Sequence, residues 1–347
     1  MIFKHWIAKY PYILTYRLLK LFRRPRGIVL YCSEFLDWEI FEPVQKYLKP
    51  IKVVSNKPKV RKLLAEKGIR AGRLPVFPKA VIMTRHSCDR FPAPEIIRIG
   101  MTHGAYHFKK LTKAKNYNLF NQYLFTSEAG LQAAQKIGVK IGVAVGYPKL
   151  DKALTGAYSA TELKSLKQEA GIREGLPIIV FSSTWTASGM SALHRWIDRI
   201  EELKDRYNVI VTLHPWIEEA KRKYIRDKGI YVIKTNPVDY LYLAEIVVGD
   251  NSSLLGEACA LNKAIITWKS PRGRRSVAEI EQMIASFSVQ VDSWEEFLEA
   301  IETCLKDPGI KSAERQKANE IMYSSLDGQA GARAAAEIVK FLPELAL

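Results

Sequence analysis

The amino-acid sequence predicts an α/β protein with two Rossmann-like parallel-sheet domains facing one another across a cleft, and three observations predict it. Short apolar, β-branched runs recur along the chain and alternate with stretches long enough for helices, the pattern of a parallel, doubly wound sheet. The alternation stops over residues 154–175, where Ser159 and Glu162 have the spacing of a capping box and Gly171 suits a helix end. It then restarts at residue 177. Ligands of such sheets bind beyond the carboxyl ends of the strands, so the residues there carry the functional argument.

In the first half, strands are predicted at residues 27–32, 51–54, 80–83 and 96–99, with helices over 59–67 and 127–137. The second half reads as strand 177–181, helix 192–207, strand 208–213, helix 217–228, strand 230–234, helix 238–244, strand 246–248, helix 253–261 and strand 264–268. The last stretch of about 60 residues reads as helices. The expected domains are residues 27–152 and 153–315, with helices over 316–347 packing back toward the first. Residues 1–26 stand apart as a basic, aromatic segment.

That segment reads helical from Tyr12 to Phe22, with Pro11 suiting the first turn. Trp6, Tyr10, Tyr12 and Tyr16 beside Lys4, Lys9, Arg17, Lys20, Arg23, Arg24 and Arg26 suit a membrane interface, where rings sit among headgroups and cations meet anionic lipid. The whole chain carries 53 Lys and Arg against 36 Asp and Glu, a formal charge of +17, which implies an anionic partner. The basic residues are spread out and no RNA- or DNA-binding motif accompanies them, which argues against nucleic acid. Cys32, Cys88, Cys259 and Cys304 are too scattered for a zinc pattern or a disulfide framework. No apolar run reaches the roughly 18 residues of a spanning helix, and no signal peptide is evident. The expectation is a cytoplasmic protein, peripheral on the inner face of the membrane.

Four polar clusters fall at predicted strand ends: His103-Gly104, Ser183-Thr184-Trp185, His214-Pro215 and Asp250-Asn251-Ser252-Ser253. An imidazole can take a proton near neutral pH, and glycine beside it lets backbone approach a substrate. Hydroxyls and free N–H groups at a helix start make an anion site, although Ser252 or Ser253 would serve as an ordinary helix cap in any case. The phosphate-binding glycine motifs of dinucleotide and P-loop enzymes, the hydrolase G-x-S-x-G, the zincin H-E-x-x-H and D-x-D are all absent from the sequence.

In their order, these clusters resemble the CDP-glycerol glycerophosphotransferase family of teichoic-acid synthesis, over about residues 95–340. His103-Gly104 resembles its His-Gly motif, and Gly146 to Asp151 its Gly-x-Pro-Arg-x-Asp block. Ser183-Thr184-Trp185 resembles Pro-Thr-Trp-Arg, and His214-Pro215 the second His-Pro. Asp239 to Ala244 followed by Asp250, Ser252 and Ser253 resembles an acidic block and Asp-Tyr-Ser-Ser, and Asp327 to Arg333 the closing Asp-Gly-x-Ala-x-x-Arg. The chain departs where the family continues Thr-Pro-Leu-Lys after His-Gly, where Thr186 replaces Arg, and where Lys149 replaces Arg.

The resemblance implies a GT-B-like architecture, with an acceptor domain first and a nucleotide-donor domain second. It implies polyol-phosphate transfer, glycerol phosphate foremost, from a CDP-polyol to a lipid-linked or glycan acceptor, with no cofactor and no protein-bound metal. The catalytic candidates are His103, as base on the acceptor hydroxyl, and His214. The substrate-binding candidates are Gly104, Lys109, Lys149, Ser183, Thr184, Trp185, Asp239, Asp250, Ser252, Ser253 and Glu257. The alternative is a GT-B glycosyltransferase or epimerase acting on a nucleotide sugar, since fold alone does not separate the two.

Overall fold

The structure, a computed structural model, describes residues 2–22, 27–105, 111–234, 236–271, 273 and 277–347, with side chains from residue 9 onward. The chain divides into two compact units. The first comprises residues 1–103, 111–151 and 329–347, and the second residues 104–110 and 152–328.

The first unit is wound round a six-stranded parallel sheet. After helix α1 (Ile2–Phe22) come β1 (Ile28–Tyr31), α2 (Leu36–Gln45), β2 (Lys52–Val54), α3 (Pro58–Glu66), β3 (Ala80–Met83) and β4 (Ile97–Met101). They are followed by α4 (Ala114–Tyr117), β5 (Gln122–Phe125), α5 (Glu128–Lys136) and β6 (Val143–Ala144). The spatial order is β2-β1-β3-β4-β5-β6. The order reverses between β1 and β3, the switch point beyond whose carboxyl ends ligands of such sheets bind. Their register pairs Tyr31 with Met83, so the chain leaves both strands at the same level.

Helix α6 (Asp151–Thr155) leads out of the first unit into the second, where α7 (Ala160–Glu169) follows, and its capping box between Ser159 and Glu162 forms as the sequence predicts. Then follow β7 (Ile178–Ser183), α8 (Leu193–Trp196), β8 (Asn208–Leu213), α9 (Glu219–Asp227), β9 (Tyr231–Val232), α10 (Pro237–Leu243) and β10 (Ile246–Gly249). The unit continues through α11 (Leu254–Ala260), β11 (Ala264–Trp268), α12 (Ala278–Phe287), β12 (Val289–Val291), α13 (Trp294–Lys306) and α14 (Ser312–Met322). Its sheet order, β12-β11-β10-β7-β8-β9, puts the switch point between β7 and β10. A final helix, α15 (Ala330–Phe341), belongs to the first unit and packs on α2, whereas α14 packs on α11 and α12.

Several details differ from the sequence reading. Strands β5, β6 and β12 are additions to the expected set, β12 interrupting the last stretch read as helices, and the expected helix over 192–207 is only α8 followed by a 3-10 turn at Ile200–Leu203. Helix α1 runs straight through Pro11 rather than starting after it. Tyr12 and Tyr16, expected at a membrane interface, turn inward instead. Tyr16 is buried, and the Tyr12 hydroxyl donates to the Val76 carbonyl at 2.7 Å. Helical spacing places residues 12, 13 and 16 on one side, and the aromatic core of the first unit supplies the apolar surface that holds them. Exposed on the rest of α1 are Tyr10, Leu14, Leu18, Leu19, Leu21 and Phe22.

Candidate active site

In the first unit, three adjacent strands end on one group of polar residues. Asp37, in the first turn of α2 and 1 % exposed, accepts from the Ser33 and Glu34 amides at 2.7 and 2.8 Å and from the Ser33 hydroxyl at 3.0 Å. Its other oxygen accepts from the Thr84 hydroxyl at 2.5 Å and Arg85 Nε at 3.0 Å, both just beyond β3. Two residues beyond β4, His103 Nδ1 lies 3.1 Å from the Thr84 carbonyl oxygen. A carbonyl only accepts, so Nδ1 carries the hydrogen, and Nε2 of the neutral ring offers a lone pair. Burial, and then the nearby Arg85 guanidinium, push the His103 pKa down to about 4. The residue itself keeps solvent-exposed surface. The ring is neutral at pH 7, as a general base requires.

In the second unit the predicted residues gather at the ends of β10, β7 and β8, which are neighbours in the sheet. Gly249 ends β10 so close to α11 that a Cβ would stand 2.8 Å from Leu255. Asp250 follows, buried. Its carboxylate accepts from the Thr184 amide at 3.0 Å and the Ala192 amide at 3.0 Å, and lies 3.0 Å from the Ser183 hydroxyl. Burial pushes its pKa up, against these donors. Asp250, Ser183 and Thr184 therefore face inward and tie the loop after β7 to the end of β10 across the switch point. Ser252 shares a 3.2 Å hydrogen bond with Ser182 and accepts from the Leu254 amide, while Ser253 is exposed and makes no side-chain cap bond. A Cβ added at Gly104 would lie 4.0 Å from that of Ser253.

At the end of β8, His214 Nδ1 accepts from the Trp216 amide at 3.2 Å, so in the neutral ring Nε2 carries the hydrogen. This tautomer is the opposite of that of His103. The turn is held by Arg222 Nη2, which donates to the His214 carbonyl at 2.6 Å. Trp185 and Trp216 meet edge to face with ring centres 5.0 Å apart, and His214 meets Trp216 at 5.2 Å. Trp216 is mostly exposed, which makes this group an accessible aromatic surface.

The other predicted residues lie elsewhere. Lys149 is buried in the 3-10 turn Pro148–Leu150 of the first unit. Beside it, Asp151 accepts from the Ala330 and Gly331 amides at 3.2 and 2.7 Å, and Arg333 Nε donates to the Val145 carbonyl at 2.9 Å. The Gly-x-Pro and Asp-Gly blocks thus form one clasp at the start of α15. Asp239 accepts from the Tyr158 hydroxyl at 2.8 Å, and Glu257 is buried on α11. Lys109, with Lys110, lies outside the described residues, as do Arg23, Arg24 and Arg26 and the side chains of Lys4 and Trp6. Sequence reasoning missed Asp37, Thr84, Arg85 and Trp216. Thr84 and Arg85 follow the apolar run 80–83 directly, so the strand-end rule that selected His103 also points to them. Among the described residues no group of three or more His, Cys, Asp or Glu side chains is placed to hold a metal ion.

The teichoic acid ribitol-phosphate polymerase TarL of Staphylococcus aureus is 23% identical to this chain over 199 residues, covering 54% of this chain and 34% of the relative. This chain therefore spans about a third of that relative's length. Among solved structures, the wall teichoic acid polymerase TagF, as a His-to-Asn variant soaked with CDPG, matches with a TM-score of 0.67 at 13% identity. That match covers 97% of this chain and 98% of TagF's. HepE of Anabaena in complex with UDP-glucose matches with a TM-score of 0.54 at 12% identity, over 90% and 99% of the two chains. The two parallel sheets are those of this GT-B-like fold. The sequence profile described as CDP-glycerol:poly(glycerophosphate) glycerophosphotransferase matches residues 98–340, and the chain belongs to that family.

Proposed function

We propose that the chain transfers a polyol phosphate, glycerol phosphate foremost, from a CDP-polyol to the hydroxyl of a lipid-linked or glycan acceptor and releases CMP. The observation that carries the reading is the pair of opposite histidine tautomers. His103 presents a lone pair at Nε2 beside a cation, as a base on an acceptor hydroxyl needs. His214 presents an N–H, as a group stabilising the donor's phosphate charge needs. The exposed Ser253 hydroxyl and the amides that open α11 suit the donor's phosphates, and Asp250 acts through the shape of that turn. Lys109 is assigned to phosphate neutralisation, and Trp185 and Gly104 to lining the substrate site, whereas Lys149 and Glu257, both buried, and Asp239, bonded to Tyr158, are assigned to holding the fold round it.

The fold is shared with proteins that handle nucleotide sugars, so the test is a donor screen. Full-length chain is offered CDP-glycerol, CDP-ribitol, UDP-glucose and UDP-N-acetylglucosamine with a soluble glycan acceptor. CMP release from a CDP-polyol supports the reading, whereas UDP release alone establishes the glycosyltransferase alternative.

A peripheral place on the inner face of an anionic membrane completes the proposal. Its support is the α1 surface left outside the core: Leu14, Leu18, Leu21 and Phe22 recur at spacings of three and four, with Lys9, Arg17 and Lys20 on the same helix. No described helix is long and apolar enough to cross a membrane.

A further inference from the structure

Arg85 has an unusual attachment. Its Nε donates to Asp37 at 3.0 Å, and among the described residues Nη1 and Nη2 have no partner, although the side chain is only 31 % exposed. Arginine that serves only as a carboxylate partner commonly engages it through two parallel N–H bonds. Here the carboxylate is already committed. Asp37 accepts from four other donors on Ser33, Glu34 and Thr84, so it cannot swing to meet the guanidinium's far edge without abandoning them. A buried and immobile acid thus fixes the guanidinium plane from one side and leaves its terminal fork for another anion.

The location narrows what that anion is. Asp37 follows β1 and Arg85 follows β3, so the pair sits at the topological switch point of the first sheet, where ligands of such sheets bind. The residue before Arg85 gives its carbonyl to His103, and the Arg85 charge acts on that ring. The terminal fork of arginine matches the oxygens of a phosphate, and lysine does not reproduce that geometry.

We infer that Arg85 is the phosphate-binding residue of the first unit, with Asp37 as its positioning residue, and that it holds a phosphate of the molecule presented to His103. Resting on the proposed function, that phosphate is one carried by the acceptor close to its reacting hydroxyl. The chain would then prefer an acceptor that already ends in a polyol phosphate over one that ends in a neutral sugar.

The experiment uses full-length wild type, Arg85→Gln and Arg85→Lys. Calorimetric titration with glycerol 3-phosphate, with glycerol as the neutral control, reads the site without any turnover. The glutamine variant should bind glycerol 3-phosphate roughly tenfold or more weaker, as loss of a charged hydrogen bond implies, and the lysine variant should fall between. Kinetically, KM for a phosphate-terminated acceptor should rise by about the same factor while KM for CDP-glycerol stays put. Equal binding of glycerol 3-phosphate by wild type and Arg85→Gln, or no binding by either, overturns the inference. A rise in KM for CDP-glycerol instead overturns the acceptor assignment. If glycerol 3-phosphate binding depends on Arg85 but no CDP-polyol is turned over, the phosphate site stands and the transferase reading fails. Unchanged melting of Arg85→Gln, whose Asp37 retains four donors, separates site loss from unfolding.

Discussion

His103 Nδ1 lies 3.1 Å from the Thr84 carbonyl oxygen, and this contact fixes which nitrogen of the ring can act. The lone pair at Nε2 makes His103→Ala the decisive variant. Turnover should drop by roughly 10²–10⁴-fold, as for losing an acid–base group, with the fold intact by circular dichroism. The pH profile is a second readout. With the pKa pushed down by burial and by the Arg85 charge, the acid limb of kcat/KM should fall below the ordinary histidine range near 6.5. Because the Arg85 cation disfavours the protonated ring, Arg85→Gln should move that limb to higher pH. A limb at 6.5 in both proteins would remove His103 from the role.

His214 should behave differently. It offers a hydrogen from Nε2 rather than taking one, and so contributes as one phosphate-stabilising donor. His214→Ala should lower kcat by about 10²-fold or somewhat more, the range for a single oxyanion donor, without shifting the acid limb. Stopped-time CMP release across pH would show whether the two histidines separate in this way.

Asp250 faces inward, so its removal should be felt first as stability. Asp250→Ala leaves the buried Thr184 and Ala192 amides without an acceptor, at about 1–3 kcal/mol for each. Urea denaturation should show a lower midpoint, together with a raised KM for the donor. Ser253→Ala, by contrast, should raise donor KM with unchanged stability, because that hydroxyl caps nothing. Loss of about 1 kcal/mol with unaltered KM would make Ser253 a cap after all.

The clasp at α15 is structural. Asp151→Ala should destabilise the chain by about 1–3 kcal/mol, since the Ala330 and Gly331 amides are buried at that helix start. Gly331→Ala should do likewise, because its Cβ would stand 2.8 Å from the Pro43 carbonyl oxygen. Both should leave KM for donor and acceptor near wild type when assayed below their melting temperatures.

For the membrane, substitution on α1 discriminates better than truncation. Deleting residues 1–22 would also remove Tyr12, Ile13 and Tyr16 from the first unit's core. Leu18→Glu with Leu21→Glu alters only exposed positions and should abolish flotation with anionic liposomes while preserving activity on a soluble acceptor. Binding by the wild type should weaken with salt without vanishing, as apolar burial is not screened. Undiminished flotation of the double variant would place the anchor elsewhere.

What the sequence determined by itself was the sheet pattern and the ends of its strands. Apolar β-branched runs and caps such as Ser159 with Glu162 act locally, so β1 to β4 and β7 to β11 were legible, and with them His103, His214 and Asp250. Strands as short as β6 carry too little periodicity to be read. Only the tertiary structure decided which way these residues point. Asp250 and Ser183 sit in the same short motifs as exposed Ser253 and half-buried Trp185, but burial turns the first two into braces. Asp37, which follows its strand by six residues, meets Arg85 because β1 and β3 are parallel neighbours in register, a pairing that no local pattern encodes. The same holds for Asp151 with Gly331, 180 residues apart. Such contacts arise from the sum of core packing over the whole unit, which is why the strand-end chemistry was readable and its wiring was not.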